Sequence, residues 1–302
     1  MRSLVNVQVG PYTLRTQIGL GGAAEVWHAT HVDDERAYAV KLLRPEHRED
    51  VNQLKALETE FSILEQLRHK ALTPGRRWVE IDDRSGYVMD LVPGMNMSVA
   101  LARKLPFNGL HCLRDLVDVV AFLHENELIH NDIKLENCIL RPEGSLALVD
   151  LGNVRRMQWT NVITGFFRRP AQQIFGTATY LAPELIAGKR PTVKSDLYAI
   201  GVCTFLFLTG KPPFMADTND ERLRANISET PPGLASRIPG IPPGPAAILD
   251  RCLAKKADAR PESAEEVLAA INDLLTKVRY VRVKTPDPGS LGRGPIGGGL
   301  PP

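Results

Sequence analysis

Asp132 and Asn137 lie five residues apart in IHNDIKLENC, and Asp150 follows in ALVDLG after a short hydrophobic stretch. A carboxylate held beside a hydroxyl can orient it and take its proton. A second carboxylate and an amide are hard oxygen donors, the kind Mg2+ takes when substrate phosphates complete its shell. Asp and Asn are common turn residues, so each of the three has an ordinary explanation taken singly. Together, in this order, they point to a hydroxyl and a metal-bound phosphate meeting at one site.

Two further groups lie upstream. Lys41, in AYAVK, stands inside an apolar strand, and Glu60, in ETEFSILEQLRH, stands on a helix with an apolar face. A strand lysine usually points to solvent, and a helix glutamate reads equally well as a solvated carboxylate. As partners, however, they form an ion pair that aims the lysine at phosphate oxygens. Gly19 and Gly21, in IGLGGAAEV, end one strand just before Val26 opens the next. Such a turn lets backbone N–H groups close over a polyphosphate, although an ordinary hairpin has the same appearance.

These groups need elements to position them. From Tyr12 to about Leu91 the pattern is mostly short strands: YTLRTQIG, EVWHATHV and RAYAVKLL. One helix interrupts them, with Leu57, Phe61, Leu64 and Leu67 at helical spacing. After Pro93-Gly94 the pattern turns helical, with a stripe from Leu113 to Ala121 and further helices predicted over 195–209, 245–254 and 263–278. The expected architecture is α+β, in two lobes: a small β-rich lobe over 12–91 behind an extension at 1–11, and a larger helical lobe over 92–279, joined by a hinge near 90–94. Residues 280–302 are too rich in Gly and Pro to pack, and read as a disordered tail. The active site is expected in the cleft between the lobes.

The set resembles the protein kinase family over about 12–279. The family's signatures stand here as IGLGGAAEV, AYAVK, Glu60, HNDIKLEN, DLG and APE, in the family's order and spacing. SDLYAIGV resembles the helix whose Asp196 anchors the catalytic loop, and DARP supplies Arg260 as a buried partner for Glu184. The resemblance implies that Gly19, Leu20 and Gly21 cover the phosphates of ATP, while Lys41 pairs with the phosphates and Glu60. It makes Asp132 the base, with Asn137 and Asp150 holding Mg2+ or Mn2+. Val26 and Ala39 would roof the adenine slot, Ile139 would lie near its floor, and Met89 would stand behind it as gatekeeper. Asp90 and Val92 would offer backbone hydrogen bonds to the base. Lys134, two after Asp132, and Thr177, in FGTATYLAPE, resemble the serine/threonine branch, in which a lysine neutralises the transferring phosphoryl and a threonine braces the loop. The style is closest to bacterial serine/threonine kinases, so protein substrates are implied, with room for a regulatory partner.

Several positions depart from the family pattern. Ala24 fills the third glycine position, Leu151 stands in DLG for phenylalanine, and Tyr198 replaces a tryptophan. Asn131 stands where the family carries an arginine that receives an activation-loop phosphate, so the segment 150–184, with Thr160 and Thr164, lacks that receptor. Arg155-Arg156 and Arg168-Arg169 read as solvated charge or a docking surface. A pseudokinase would lack one of Lys41, Asp132, Asn137 or Asp150, and all four are present. A small-molecule phosphotransferase would usually lack GT-x-x-Y-x-APE. Over 302 residues the net charge is only +2, which argues against nucleic acid as a primary partner. Four scattered cysteines without a CxxC pair suit reduced thiols. With no long apolar run, the expected setting is cytoplasmic and away from membranes.

Overall fold

The structure, a computed structural model, describes residues 4–157 and 177–277. Thr160, Thr164, Arg168, Arg169 and the segment 280–302 lie outside the described residues.

The first half is a six-stranded antiparallel sheet in the order β1-β2-β3-β4-β6-β5. Its strands are β1 (Gln8–Val9), β2 (Tyr12–Leu20), β3 (Ala24–His31), β4 (Ala37–Leu43), β5 (Gly75–Ile81) and β6 (Arg84–Asp90). Alternation along a strand sends neighbouring side chains to opposite faces. On the outer face Val40, Leu42 and Val88 are buried under Leu4, Val9, Tyr12 and Leu14. The residues ahead of Tyr12 are thus part of this packed layer. On the inner face the register aligns Gly19, Val26, Lys41 and Tyr87 in one row across four strands. Ala39 and Met89, two residues from Lys41 and Tyr87, pair beside that row.

Helix α1 (Val51–Gln66) packs on the inner side, started by Asp50, whose side chain accepts the N–H groups of Asn52 and Gln53. Its buried positions are Leu57, Glu60, Ile63 and Leu64. Glu60 therefore sits on the apolar stripe, not on a solvated face.

The second half begins with β7 (Met95–Asn96) and α2 (Met97–Ala102), and its core is built on α3 (Gly109–Glu125). Short strands β8 (Leu128–Ile129), β9 (Cys138–Leu140) and β10 (Leu146–Leu148) follow, then β11 (Arg155–Arg156). They form a sheet β10-β9-β7 and a pair β11-β8, which hold the loop between β8 and β9 from both sides. Beyond lie α4 (Pro183–Ile186), α5 (Val193–Thr209), α6 (Asn219–Ser228), α7 (Leu234–Arg237), α8 (Pro243–Arg251) and α9 (Ala264–Lys277). Every residue of α5 from Ser195 to Leu208 is buried, so this apolar run is the central helix of the lobe. No helix among the described residues is long and apolar enough to cross a membrane.

Candidate active site

The cleft is assembled from both halves. Lys41 Nζ donates to both carboxylate oxygens of Glu60, at 2.8 and 2.7 Å, and to Asp150 Oδ1 at 2.8 Å. Leu151 N–H donates to Glu60 Oε1 at 2.9 Å, so one carboxylate on α1 fixes both the strand lysine and the DLG backbone. Burial pulls the Lys41 pKa down, but Asp150 and Glu60 outweigh it and hold the value well above that of an ordinary lysine. Burial pushes the Glu60 pKa up, only partly offset by Lys41. Asp150 goes the other way: Lys41 holds it well below the usual carboxylate range, against desolvation, helped by the Gly152 N–H. It therefore stays ionised. A Cβ on Gly152 would stand 3.1 Å from Asp150 Oδ1 and 3.6 Å from Lys41 Nζ, so glycine keeps this side of the carboxylate clear.

The loop between β8 and β9 is set by Asp196, near the start of α5. Its Oδ2 accepts the His130 N–H at 2.8 Å and His124 Nε2 at 2.9 Å, and its Oδ1 accepts the Asn131 N–H at 2.8 Å. His130 is fully buried, its pKa lowered by desolvation, and its Nδ1 accepts the Asp132 N–H at 3.3 Å. Asn131 has φ +62°, a left-handed conformation that asparagine tolerates better than most residues. The loop presents Asp132 to the cleft, with Lys134 Nζ on its Oδ2 at 2.8 Å. Asn137 Nδ2 donates to the Asp132 carbonyl at 2.8 Å, which orients the amide and turns its oxygen away from that bond.

Asn137 and Asp150 offer an amide oxygen and an ionised carboxylate, a donor set suited to Mg2+. Among the described residues no cluster of three His, Cys, Asp or Glu side chains could hold a metal.

Val26, Ala39 and Met89 share the inner face of the sheet, and Ile139 lies on β9. The chain at Gly94 passes close to β9. Gly94 has φ +142°, and a Cβ there would stand 2.3 Å from the Leu140 carbonyl oxygen and 2.9 Å from Ile139 Cγ2. The Asp90 N–H donates to the Pro74 carbonyl at 3.2 Å. Its side chain makes a two-pronged pair with Arg76 at 2.6 and 2.5 Å. Leu20 is 67% exposed at the end of β2, beside the turn, and Val92 lies in the hinge just after β6. Thr177 opens a short turn, Thr177–Tyr180; its side chain lies outside the described residues.

Arg260 is fully buried and meets Glu184 with two bonds, 2.7 and 2.8 Å. Tyr198 is also buried, its hydroxyl on Asn226 at 3.1 Å and its ring under the Arg260 guanidinium. Two contacts went unforeseen. Arg44 Nη1 reaches the Gly21 and Gly22 carbonyls, each at 3.3 Å, and Asn153 Nδ2 reaches Asp132 Oδ2 at 3.2 Å. Neither has a spacing signal, because each joins segments that meet only after folding.

Comparison with known proteins accords with this geometry. A model of the family described as "Protein kinase domain" matches residues 12–274. The chain is similar to the serine/threonine-protein kinase PrkC of Bacillus subtilis, 27% identical over 265 residues, covering 87% of this chain and 40% of PrkC. Similarity to PknH of Mycobacterium tuberculosis is 27% over 277 residues, covering 91% of this chain and 43% of PknH. A probable serine/threonine-protein kinase of Streptomyces coelicolor is 30% identical over 273 residues, covering 88% of this chain and 40% of that protein. The chain thus spans less than half the length of these curated relatives. With its fold, its motif order and a match across most of its length, it belongs to the protein kinase family.

Proposed function

We propose that the chain is an ATP-dependent protein serine/threonine kinase. The observation that carries this reading is the Glu60–Lys41–Asp150 cluster, assembled in the same cleft as Asp132 and Lys134. A pseudokinase has no need to keep lysine, carboxylates and catalytic loop in one working arrangement. Lys41, placed by Glu60, would hold the phosphates of ATP under the Gly19–Gly21 turn. Asp132 orients the acceptor hydroxyl and takes its proton, while Lys134 offers charge to the phosphoryl oxygens. Asn137 and Asp150 would hold Mg2+ or Mn2+, and a bound metal neutralises charge on the phosphates. Thr177 would brace Asp132 and Lys134, as in the serine/threonine branch. Protein substrates are inferred from the relatives, all named serine/threonine-protein kinases.

The test is transfer of labelled γ-phosphate to a generic protein acceptor, with sugars, choline-like amines and aminoglycosides as competing acceptors. Asp132→Ala should lower kcat by about 10²–10⁴-fold, the range for loss of a positioned acid–base group, with little change in ATP affinity. Wild-type turnover in that variant would remove Asp132 from the chemistry.

A further inference from the structure

Asn153 stands at a position where turn chemistry does not call for asparagine. Residues 151–154 close a turn through the Val154 N–H on the Leu151 carbonyl at 3.0 Å. Two neighbours, Asn131 and Asp150, have left-handed backbones; Asn153 does not, so its conformation is open to any residue. The side chain is half-buried at the wall of the cleft and fills no core position.

Its amide instead reaches the catalytic loop. Asn153 Nδ2 donates to Asp132 Oδ2 at 3.2 Å, beside Lys134 Nζ at 2.8 Å and Asn137 Nδ2 at 3.4 Å on the same oxygen. In the return direction, Asn131 Nδ2 approaches the Asn153 carbonyl at 3.5 Å, a long bond. Asn131 itself is pinned by its N–H on Asp196. A path of contacts thus runs from the central helix through Asn131 and Asn153 back to Asp132. It ties the catalytic loop to the segment that carries Asp150.

We propose that Asn153 is a positioning residue for Asp132, fixing the plane of its carboxylate from the DLG side with a neutral donor. The proposal rests on the reading of Asp132 as the base. Lys134 is a four-carbon stem with a point charge, which neutralises the carboxylate but restrains its rotation weakly. An asparagine has two side-chain torsions and a planar amide, so it holds direction at small entropic cost. Sites of this kind need their groups within about 0.5 Å of working geometry. A neutral donor gives that restraint without placing a second full positive charge beside the group that must receive a proton.

The experiment measures kcat, KM for ATP and thermal midpoint for Asn153→Ala and Asn153→Asp, each alone and in an Asp132→Asn background. Asn153→Ala should lower kcat roughly tenfold, as for one hydrogen bond to a charged group, with KM for ATP and the midpoint nearly unchanged. Asn153→Asp keeps the shape but turns the donor into an acceptor facing another carboxylate, and should lower kcat further. Neither change should matter once Asp132 is asparagine. Wild-type kcat in Asn153→Ala, or an equal loss in the Asp132→Asn background, would overturn the positioning role while leaving Asp132 as the base. Full turnover in Asp132→Asn alone would overturn the catalytic reading itself, a separate outcome.

Discussion

Lys41 is held by two carboxylates with unequal grips, and that inequality decides what substitutions there do. Glu60 is 1% exposed and engages the ammonium with both oxygens, whereas Asp150 uses one oxygen and is 45% exposed toward the cleft. Glu60 is therefore the fixed anchor and Asp150 the less constrained partner, the one that on the proposed reading would turn to a metal. Removing Glu60 would leave Lys41 on Asp150 alone, misplacing the lysine and occupying the carboxylate together. Lys41→Met and Glu60→Ala should for this reason be strongly non-additive in kcat, with a coupling of about 0.5–3 kcal/mol in a double-mutant cycle. Full additivity would mean that the pair does not act as a unit. The structure is what puts Glu60 on the buried stripe. Lys41 and Glu60 were legible in the sequence only through the motif order that resembles the kinase family, since a strand lysine and a helix glutamate each had an ordinary reading taken singly. Asn153 was not, because asparagine after a DLG turn has many ordinary uses and its partner is 21 residues away.

At the scale of elements, boundaries followed periodicity where an apolar stripe was strong. The helix predicted over 195–209 is observed as Val193–Thr209, and that over 263–278 as Ala264–Lys277. Helix α6 escaped because it is polar nearly all round, with only Ala225 and Asn226 buried. Its signal was at the start, where Thr218 and Glu221 form a capping box. The turn between β2 and β3 shows a second kind of illegibility. Its glycines announce a flexible loop, but Arg44, just past β4, donates to the Gly21 and Gly22 carbonyls and pairs with Glu46. These bonds hold the turn from its own chain. Arg44→Ala should raise KM for ATP about two- to fivefold with kcat little changed, consistent with losing weak, half-exposed bonds to a charged group. An unchanged KM would show that the turn orders itself. The Glu184–Arg260 pair joins α4 to the loop before α9. Burial raises the Glu184 pKa, but Arg260 outweighs it and the net value lies below an ordinary glutamate. Its contribution to stability is then complete above about pH 4.3, the ordinary value, and is lost as pH falls through the depressed one. Glu184→Gln leaves a fully buried guanidinium without its counter-ion and should destabilise by about 3–5 kcal/mol at neutral pH. The gap between wild type and variant in denaturant titrations should stay flat from about pH 5 to 8 and shrink below about pH 4. A gap that widened in acid would contradict the pairing.

For the molecule as a whole, the question is what holds the catalytic centre together before any modification. The family's arginine next to the catalytic aspartate is replaced by Asn131, which carries no charge to receive a phosphate. In its place stand contacts that need none. Asp196 fixes the loop backbone, Tyr180 accepts the Leu135 N–H at 3.4 Å, and Arg260 holds the end of the APE segment through Glu184. Lys41, Glu60 and Asp150 are already engaged with one another across the two lobes without added charge. On the proposed kinase reading the chain should therefore be active as first made, and phosphate at Thr160 or Thr164 should serve as a docking mark rather than a switch. The comparison is direct: treat the purified protein with a phosphatase, confirm by mass spectrometry that 150–184 is bare, and measure kcat before and after. The two values should agree within about threefold, and changing Thr160 and Thr164 to alanine should alter little. A fall of more than about tenfold, ~1.4 kcal/mol in barrier, would show that another cation has taken over the receptor role. Arg155 and Arg156 are the first to test, since β11 pairs them with Ile129 and Leu128 at the entrance to the catalytic loop.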